Sequence, residues 1–214
     1  MTTRHVFFSF KNSSEAVNFV SYIQSKMRGK NINISVKGKK VKITLRASKQ
    51  DLSLLMAMIK NEYKNWKLST HGTKTGFYKH SIPRILHDAK LKTSIPINSI
   101  IDVLTLLGYP ARIESGYIVT TMNFENVIKI TEKISEKYRE LLENAKYAPM
   151  ARRLLAVVLS TFNWNDINQT TEKLINMDIL SIDSRTSKIT LSVAYEKALE
   201  KIKEMVKTHG NTRD

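Results

Sequence analysis

Read for the spacing of its apolar positions, the chain opens as β-α-β-β-α. His5–Phe10 (HVFFSF) is a short strand, and Asn12 with Glu15 three residues on resembles a capping box that starts a helix. In that helix Ala16, Phe19, Val20, Ile23 and Met27 recur at helical spacing, with Gly29 close to its end. Strict alternation follows. Ile32, Ile34 and Val36 face one side, the chain turns at Lys37-Gly38-Lys39, and Val41, Ile43 and Leu45 face the same side. Period two then places Lys40, Lys42, Thr44 and Arg46 together on the opposite face. Ser48 and Asp51 form a second cap, opening a helix whose inner face carries Leu52, Leu55, Met56, Ile59, Tyr63 and Trp66.

The segment LSTHGTKTGFYKH (68–80) has two glycines and no periodicity, and reads as a linker or functional loop. Pro83 suits the first turn of a short helix, IPRILHDAKLK. A helix over Ile97–Leu107 is expected to end at Gly108 in a left-handed cap. A hairpin follows, Ala111–Glu114 with Tyr117–Thr121 about Ser115-Gly116, and then a long amphipathic helix from near Asn123. This helix–hairpin–helix order repeats part of the first unit, as an ancient duplication or a chance recurrence of a common arrangement would. The last stretch reads helix (Met150–Phe162), turn (Asn163–Asp166), helix (Ile167–Met177), hairpin around Ile182–Leu191 and final helix (Val193–Lys207), the order of a winged helix, with a disordered tail from His209. The fold class expected is α+β in three domains: 1–80, a basic β-α-β-β-α unit; 81–147, helix–hairpin–helix; and 148–214, winged-helix-like.

Charge changes the picture. The 214 residues carry 35 Lys and Arg against 19 Asp and Glu, a net of +16. Residues 1–92 hold 19 against 4, a net of +15, while 93–147 hold 6 against 7 and 148–214 hold 10 against 8. A general lysine bias for solubility would spread evenly, so this asymmetry points to a polyanion. From Lys26 to Lys49 there are nine cations and no acid: Lys26, Arg28, Lys30, Lys37, Lys39, Lys40, Lys42, Arg46 and Lys49. A second group follows, in which Lys60, Lys64 and Lys67 share a helical face and Lys74, Lys79 and Arg84 flank the aromatic Tyr78, read as exposed in its loop and able to stack on an unpaired base. Lys90 and Lys92 close the run. Trp66 and Phe77 read instead as core or lid.

Catalytic motifs are missing. No phosphate loop, G-x-G-x-x-G, H-E-x-x-H or G-x-S-x-G occurs, and zero Cys removes thiol chemistry and Cys-ligated metals. The five His lack ligand spacing, and His80 with His87 read as solvated imidazoles. The few acids of the basic half (Glu15, Asp51, Glu62, Asp88) are too scattered to hold Mg²⁺. The expectation is a non-enzymatic protein without cofactor or metal. With no signal-peptide run at the start and no apolar stretch of membrane-spanning length, it reads as cytoplasmic and away from membranes.

The β-α-β-β-α order, the hairpin VKGKKVKITLRA and the helix DLSLLMAMIKNEYKNW make the first 67 residues similar to the small dimer-forming subunit of KEOPS, the complex that makes threonylcarbamoyladenosine in tRNA. Met56 and Lys60 stand where that family tends to have Arg and Asn, and the Trp66 position is offset by one. The whole chain resembles an archaeal family of uncharacterised proteins. These resemblances imply an archaeal protein with a module suited to homodimerisation and to life near tRNA.

Together these readings favour a protein that grips the backbone of structured RNA, ribosomal or tRNA, as a ribosome- or tRNA-associated factor, while its C-terminal half positions it or recruits a protein partner. One alternative is a winged-helix DNA-binding regulator or chromatin protein, with Gln169, Thr170 and Lys173 on the recognition helix and Arg185 and Lys188 on the wing. The other is a scaffold subunit of a tRNA-modification complex.

Overall fold

The computed structural model describes residues 1–73, 75–162, 164 and 166–210, the last five of these by backbone alone. The chain forms two compact units, 1–73 and 74–214.

In the first unit, strand β1 (Thr2–Ser9) leads into helix α1 (Ser13–Lys26), strands β2 (Ile32–Lys37) and β3 (Lys40–Ala47), and helix α2 (Lys49–His71). Both helix starts are capped as their sequences suggest. The Asn12 side chain accepts from Glu15 N at 2.9 Å, and the Glu15 carboxylate takes the Lys11 amide at 2.6 Å. Ser48 Oγ accepts from Asp51 N at 3.2 Å. The three strands form one antiparallel sheet in the order β1-β3-β2, with β3 in the middle. Registers Val6↔Ile43, Phe8↔Val41 and Ile34↔Ile43 put the apolar set on one face. There Val6, Phe8, Val41, Ile43 and Leu45 are buried with Ala16, Phe19 and Ile23 of α1, Met27 just past its end, and Leu52, Leu55, Ile59 and Trp66 of α2. Aromatic rings dominate this small core: Phe10 and Phe19 both meet Trp66 edge-on, at centroid distances of 5.4 and 5.3 Å. Both helices lie on that face, and the opposite face is left open.

The second unit runs β4 (Tyr78–Ser81), α3 (Ile82–Asp88), α4 (Ile97–Leu106), β5 (Ala111–Glu114), β6 (Tyr117–Thr120), α5 (Phe124–Leu142), α6 (Pro149–Phe162), α7 (Ile167–Asn176), β7 (Leu180–Ile182), β8 (Ile189–Leu191) and α8 (Tyr195–Gly210). Helix α4 ends as expected at Gly108, whose φ of 85° lets Tyr109 N reach back to Leu104 O at 2.9 Å. The β5-β6 turn has positive φ at both central residues, Ser115 (50°) and Gly116 (81°), the primed geometry that matches strand twist.

Three sequence expectations change here. Residues 78–80, expected to belong to a loop, form with Ser81 a strand that pairs antiparallel with β6, because pairing to a preformed hairpin outweighs weak local preference. That pairing places 75–80 in the second unit, whereas the sequence assigns them to the first. Secondly, 81–147 and 148–214 share one core. Helix α6 is buried at Ala151 and at every residue from Leu154 to Thr161, and Ile100, Val103, Ile134, Leu174, Ile179 and Ile202 from both stretches belong to the same cluster. Thirdly, the final helix extends to Gly210, past the expected start of a disordered tail; residues 211–214 lie outside the described ones.

The partial repeat seen in the sequence is more complete in three dimensions. The second sheet has the order β4-β6-β5, matching β1-β3-β2, so each half carries the arrangement β-α-β-β-α, with α3 added after β4 in the second. They are two separate sheets. Among the described residues the chain is an α+β protein with eight helices and small antiparallel sheets, closing with the order helix, helix, hairpin, helix.

Candidate nucleic-acid interface

The open face of the β1-β3-β2 sheet is set by alternation. Because Val41, Ile43 and Leu45 point into the core, Lys40, Lys42, Thr44 and Arg46 point out, as the sequence pattern requires. Registers place outward residues of the neighbouring strands beside them. Ser9, Lys40 and Lys37 form one row; Phe7, Lys42 and Ser35 the next; His5, Thr44 and Asn33 a third; and Thr3 stands beside Arg46. Arg46 N donates to Asn31 O at 3.5 Å, at the same end of the sheet.

No strand of this sheet contains an acidic residue. Lys39 occupies the β2-β3 turn, Arg28 and Lys30 the loop entering β2, and Lys49 the first position of α2. Lys60, Lys64 and Lys67 are exposed along α2. Among the described residues, none of these cations, nor Lys37, Lys40, Lys42 or Arg46, has an acidic partner. Lys26 is half-buried, its ammonium 5.8 Å from the Tyr22 ring centroid.

The second unit treats its cations differently. Lys79 Nζ reaches Glu114 Oε1 at 2.8 Å across the sheet, and Arg112 Nη2 reaches Glu114 Oε2 at 3.1 Å. These hydrogen bonds, Lys79 first, hold the Glu114 carboxyl below its usual range. Arg84 pairs with Asp88 at 3.3 Å, and its guanidinium lies 3.9 Å from the Phe124 ring centroid. Tyr78 is half-buried in β4 and stacks on His80 at 5.7 Å, so it is not the exposed loop aromatic that the sequence suggested. Thus Tyr78, Lys79 and Arg84 fall in a different unit from the cationic sheet and make their own intramolecular contacts; Lys74 lies outside the described residues. His80, expected in solvent, is fully buried, with Nε2 2.8 Å from Met122 O. Burial drives its pKa down to about 4 despite that hydrogen bond, with the Arg84 charge pushing the same way.

Two residues of the open face escaped the sequence reading. Phe7 is 69% exposed, and Lys42 Nζ lies 5.9 Å from its ring centroid. His5 is exposed beside it, centroids 6.3 Å apart, with Nδ1 3.1 Å from Thr44 Oγ1. The signal was present in the alternation: Val6, Phe8 and Phe10 share one parity and Phe7 the other, although an apolar run such as HVFFSF hides it.

At the winged-helix-like end, Gln169 and Lys173 are exposed on α7, and Lys173 Nζ lies 4.4 Å from the Trp164 ring centroid. Exposed Glu172 stands on the same helix. No group of His, Cys, Asp and Glu that could hold a metal occurs among the described residues, and no helix there is long and apolar enough to cross a membrane.

A family model described as an uncharacterized protein conserved in archaea matches residues 8–200. No curated protein and no solved structure matches the chain.

Proposed function

The chain belongs to that archaeal family, DUF2067, and on the geometry of its first unit we propose that it is a non-enzymatic RNA-binding protein, cytoplasmic, gripping structured RNA such as ribosomal RNA or tRNA. The observation that carries this reading is the open sheet face. Lys37, Lys40, Lys42 and Arg46 project from it with no acidic partner among the described residues, and Arg28, Lys30, Lys39 and Lys49 adjoin its ends. Cations held on a rigid sheet without compensating acids form a positive surface that phosphates neutralise, and each contact releases counterions. Edge protection by lysine accounts for a few charges but not for a central strand bearing Lys40, Lys42 and Arg46. The similarity of the first 67 residues to the KEOPS subunit tilts the polyanion toward RNA.

The test is binding of tRNA and ribosomal RNA fragments by the full chain at low salt, alongside a variant with Lys37, Lys40, Lys42 and Arg46 all changed to Glu. Loss of binding in a variant with an unchanged circular-dichroism spectrum is expected. Retained affinity overturns the reading.

The α6-α7-β7-β8-α8 order supports a second reading, a winged-helix DNA-binding protein. It requires duplex-DNA affinity that falls when Gln169, Lys173 and Arg185 are changed. The exposed Glu172 on the same helix weighs against it.

A further inference from the structure

The three strands of the open face differ in the chemistry they bring to its centre, with Lys37 of β2 adding a further cation at one end. Strand β1 supplies rings, Phe7 and His5; β3 supplies cations, Lys40, Lys42 and Arg46; β2 supplies hydrogen-bonding groups, Asn33 and Ser35. Neighbouring strands stand about 4.8 Å apart, so a ligand lying across the face meets all three columns at once. A shallow concavity of about 510 Å³ opens on this face, lined by His5, Asn33, Ser35, Lys42, Thr44 and Arg46 among others, with Phe7 and Lys40 outside its lining. That volume falls in the range of about 300–1,000 Å³ typical of small-molecule sites.

A surface meant for duplex backbone alone needs no ring. Phe7 is 69% exposed on the edge strand of a cationic face, beside Lys42 of the central strand, with Ser35 completing its row. A solvated phenylalanine there gains nothing for the fold, whose core is on the other side. Bases inside a double helix are already stacked on one another and offer no face to it, whereas splayed bases do. Stacking on an aromatic ring is tolerant of base identity, and the adjoining amide and hydroxyls can meet a base edge. We infer that this sheet face takes unpaired RNA nucleotides, a loop or bulge of a structured RNA, with a base stacked on Phe7 and its phosphates held by Lys40, Lys42 and Arg46. The inference rests on the RNA-binding reading and specifies the ligand of that same face.

The test uses the full chain with two labelled probes, an oligouridylate of about ten nucleotides, a length within the range single-strand grooves cover, and a blunt RNA duplex of equal charge, both read by fluorescence anisotropy. Tighter binding of the single strand is expected. Phe7→Ala should weaken single-strand binding about tenfold and leave duplex binding as it was, with Phe7→Tyr restoring affinity. Joint change of Lys40, Lys42 and Arg46 to Glu should abolish both. If Phe7→Ala binds the oligouridylate as well as the parent does, or the duplex competes equally, the stacking inference falls while the RNA-binding reading stands. If Phe7→Ala instead disrupts self-association in sedimentation and leaves RNA affinity intact, the ring serves a second copy of the chain and the inference is overturned. If the parent protein binds neither probe, the RNA-binding reading itself fails, and the inference with it.

Discussion

The phenol of Tyr195 donates to Asp102 Oδ2 at 2.8 Å, the same carboxylate oxygen that takes Arg153 Nη2 at 2.7 Å. The Arg153 guanidinium also lies 4.2 Å from the Tyr195 ring centroid. One carboxylate on α4 thereby ties α6 to α8. Burial, with the Asp102 charge adding to it, raises the Tyr195 phenol well above its usual range, so it remains a donor at any working pH.

The two ends of this network differ in what their loss leaves behind. Tyr195→Phe removes one hydrogen bond and is expected to cost about 1 kcal/mol. Asp102→Ala leaves the largely buried Arg153 uncompensated and should cost about 3 kcal/mol. Urea unfolding of the full chain measures both. Equal costs would show that the carboxylate does no more for Arg153 than for the phenol.

Acid should weaken the second unit through His80. Its imidazole takes a proton near pH 6.5 when unfolded and near 4 when folded, so the unfolded state binds more protons between those values. Stability therefore rises with pH across the window and is lost as pH falls from about 6.5 to 4, by about 3 kcal/mol in all. His80→Gln keeps an N–H donor for Met122 O and should flatten this part of the profile. Thermal unfolding at stepped pH, followed on parent and variant, shows whether the slope disappears.

Salt dependence separates the cations of the two units. Plotted as log K against log salt concentration, RNA affinity should fall linearly, and Lys40→Ala or Arg46→Ala should each reduce the slope by about 1. Lys79→Ala should leave the slope unchanged, because that ammonium is satisfied by Glu114. Arg84→Ala should lower the melting temperature instead, through loss of the Asp88 and Phe124 contacts. A slope altered by Lys79→Ala would extend the interface into the second unit.

The shared core predicts that 74–214 unfolds as one body. Leu155, fully buried on α6, is expected to cost about 3 kcal/mol on change to Ala. Amide exchange should speed up together in α4, α5, α7 and α8. A variant that loosens only the helices after 148 would restore the three-domain division drawn from sequence.

Much of this fold is legible in the sequence. Asn12, Ser48, Gly108 and the alternation of 32–46 are local signals, and local signals gave the right elements. What failed depended on tertiary partners. Strand 78–81 is polar and short, and it exists through pairing with β6, to which no nearby residue points. The domain division failed because the run Leu154–Leu159 has no polar side, the mark of a helix enclosed all round. A helix of that kind must lie between layers, so a boundary beside it is misplaced. At the candidate interface the cations are legible from composition. Phe7 is masked by apolar neighbours of opposite parity, and only alternation along the strand separates it from Val6 and Phe8.

A sheet that builds its core on one face leaves the other without a structural duty. Exposed Asn33, Ser35 and Phe7 sit where substitutions away from the core usually change stability by no more than about 0.5 kcal/mol in either direction. The pattern of side chains on that surface can therefore drift between lineages while Val41, Ile43 and Leu45 stay fixed beneath it. Related chains sharing this framework are free to have diverged in what they hold without having diverged in how they fold.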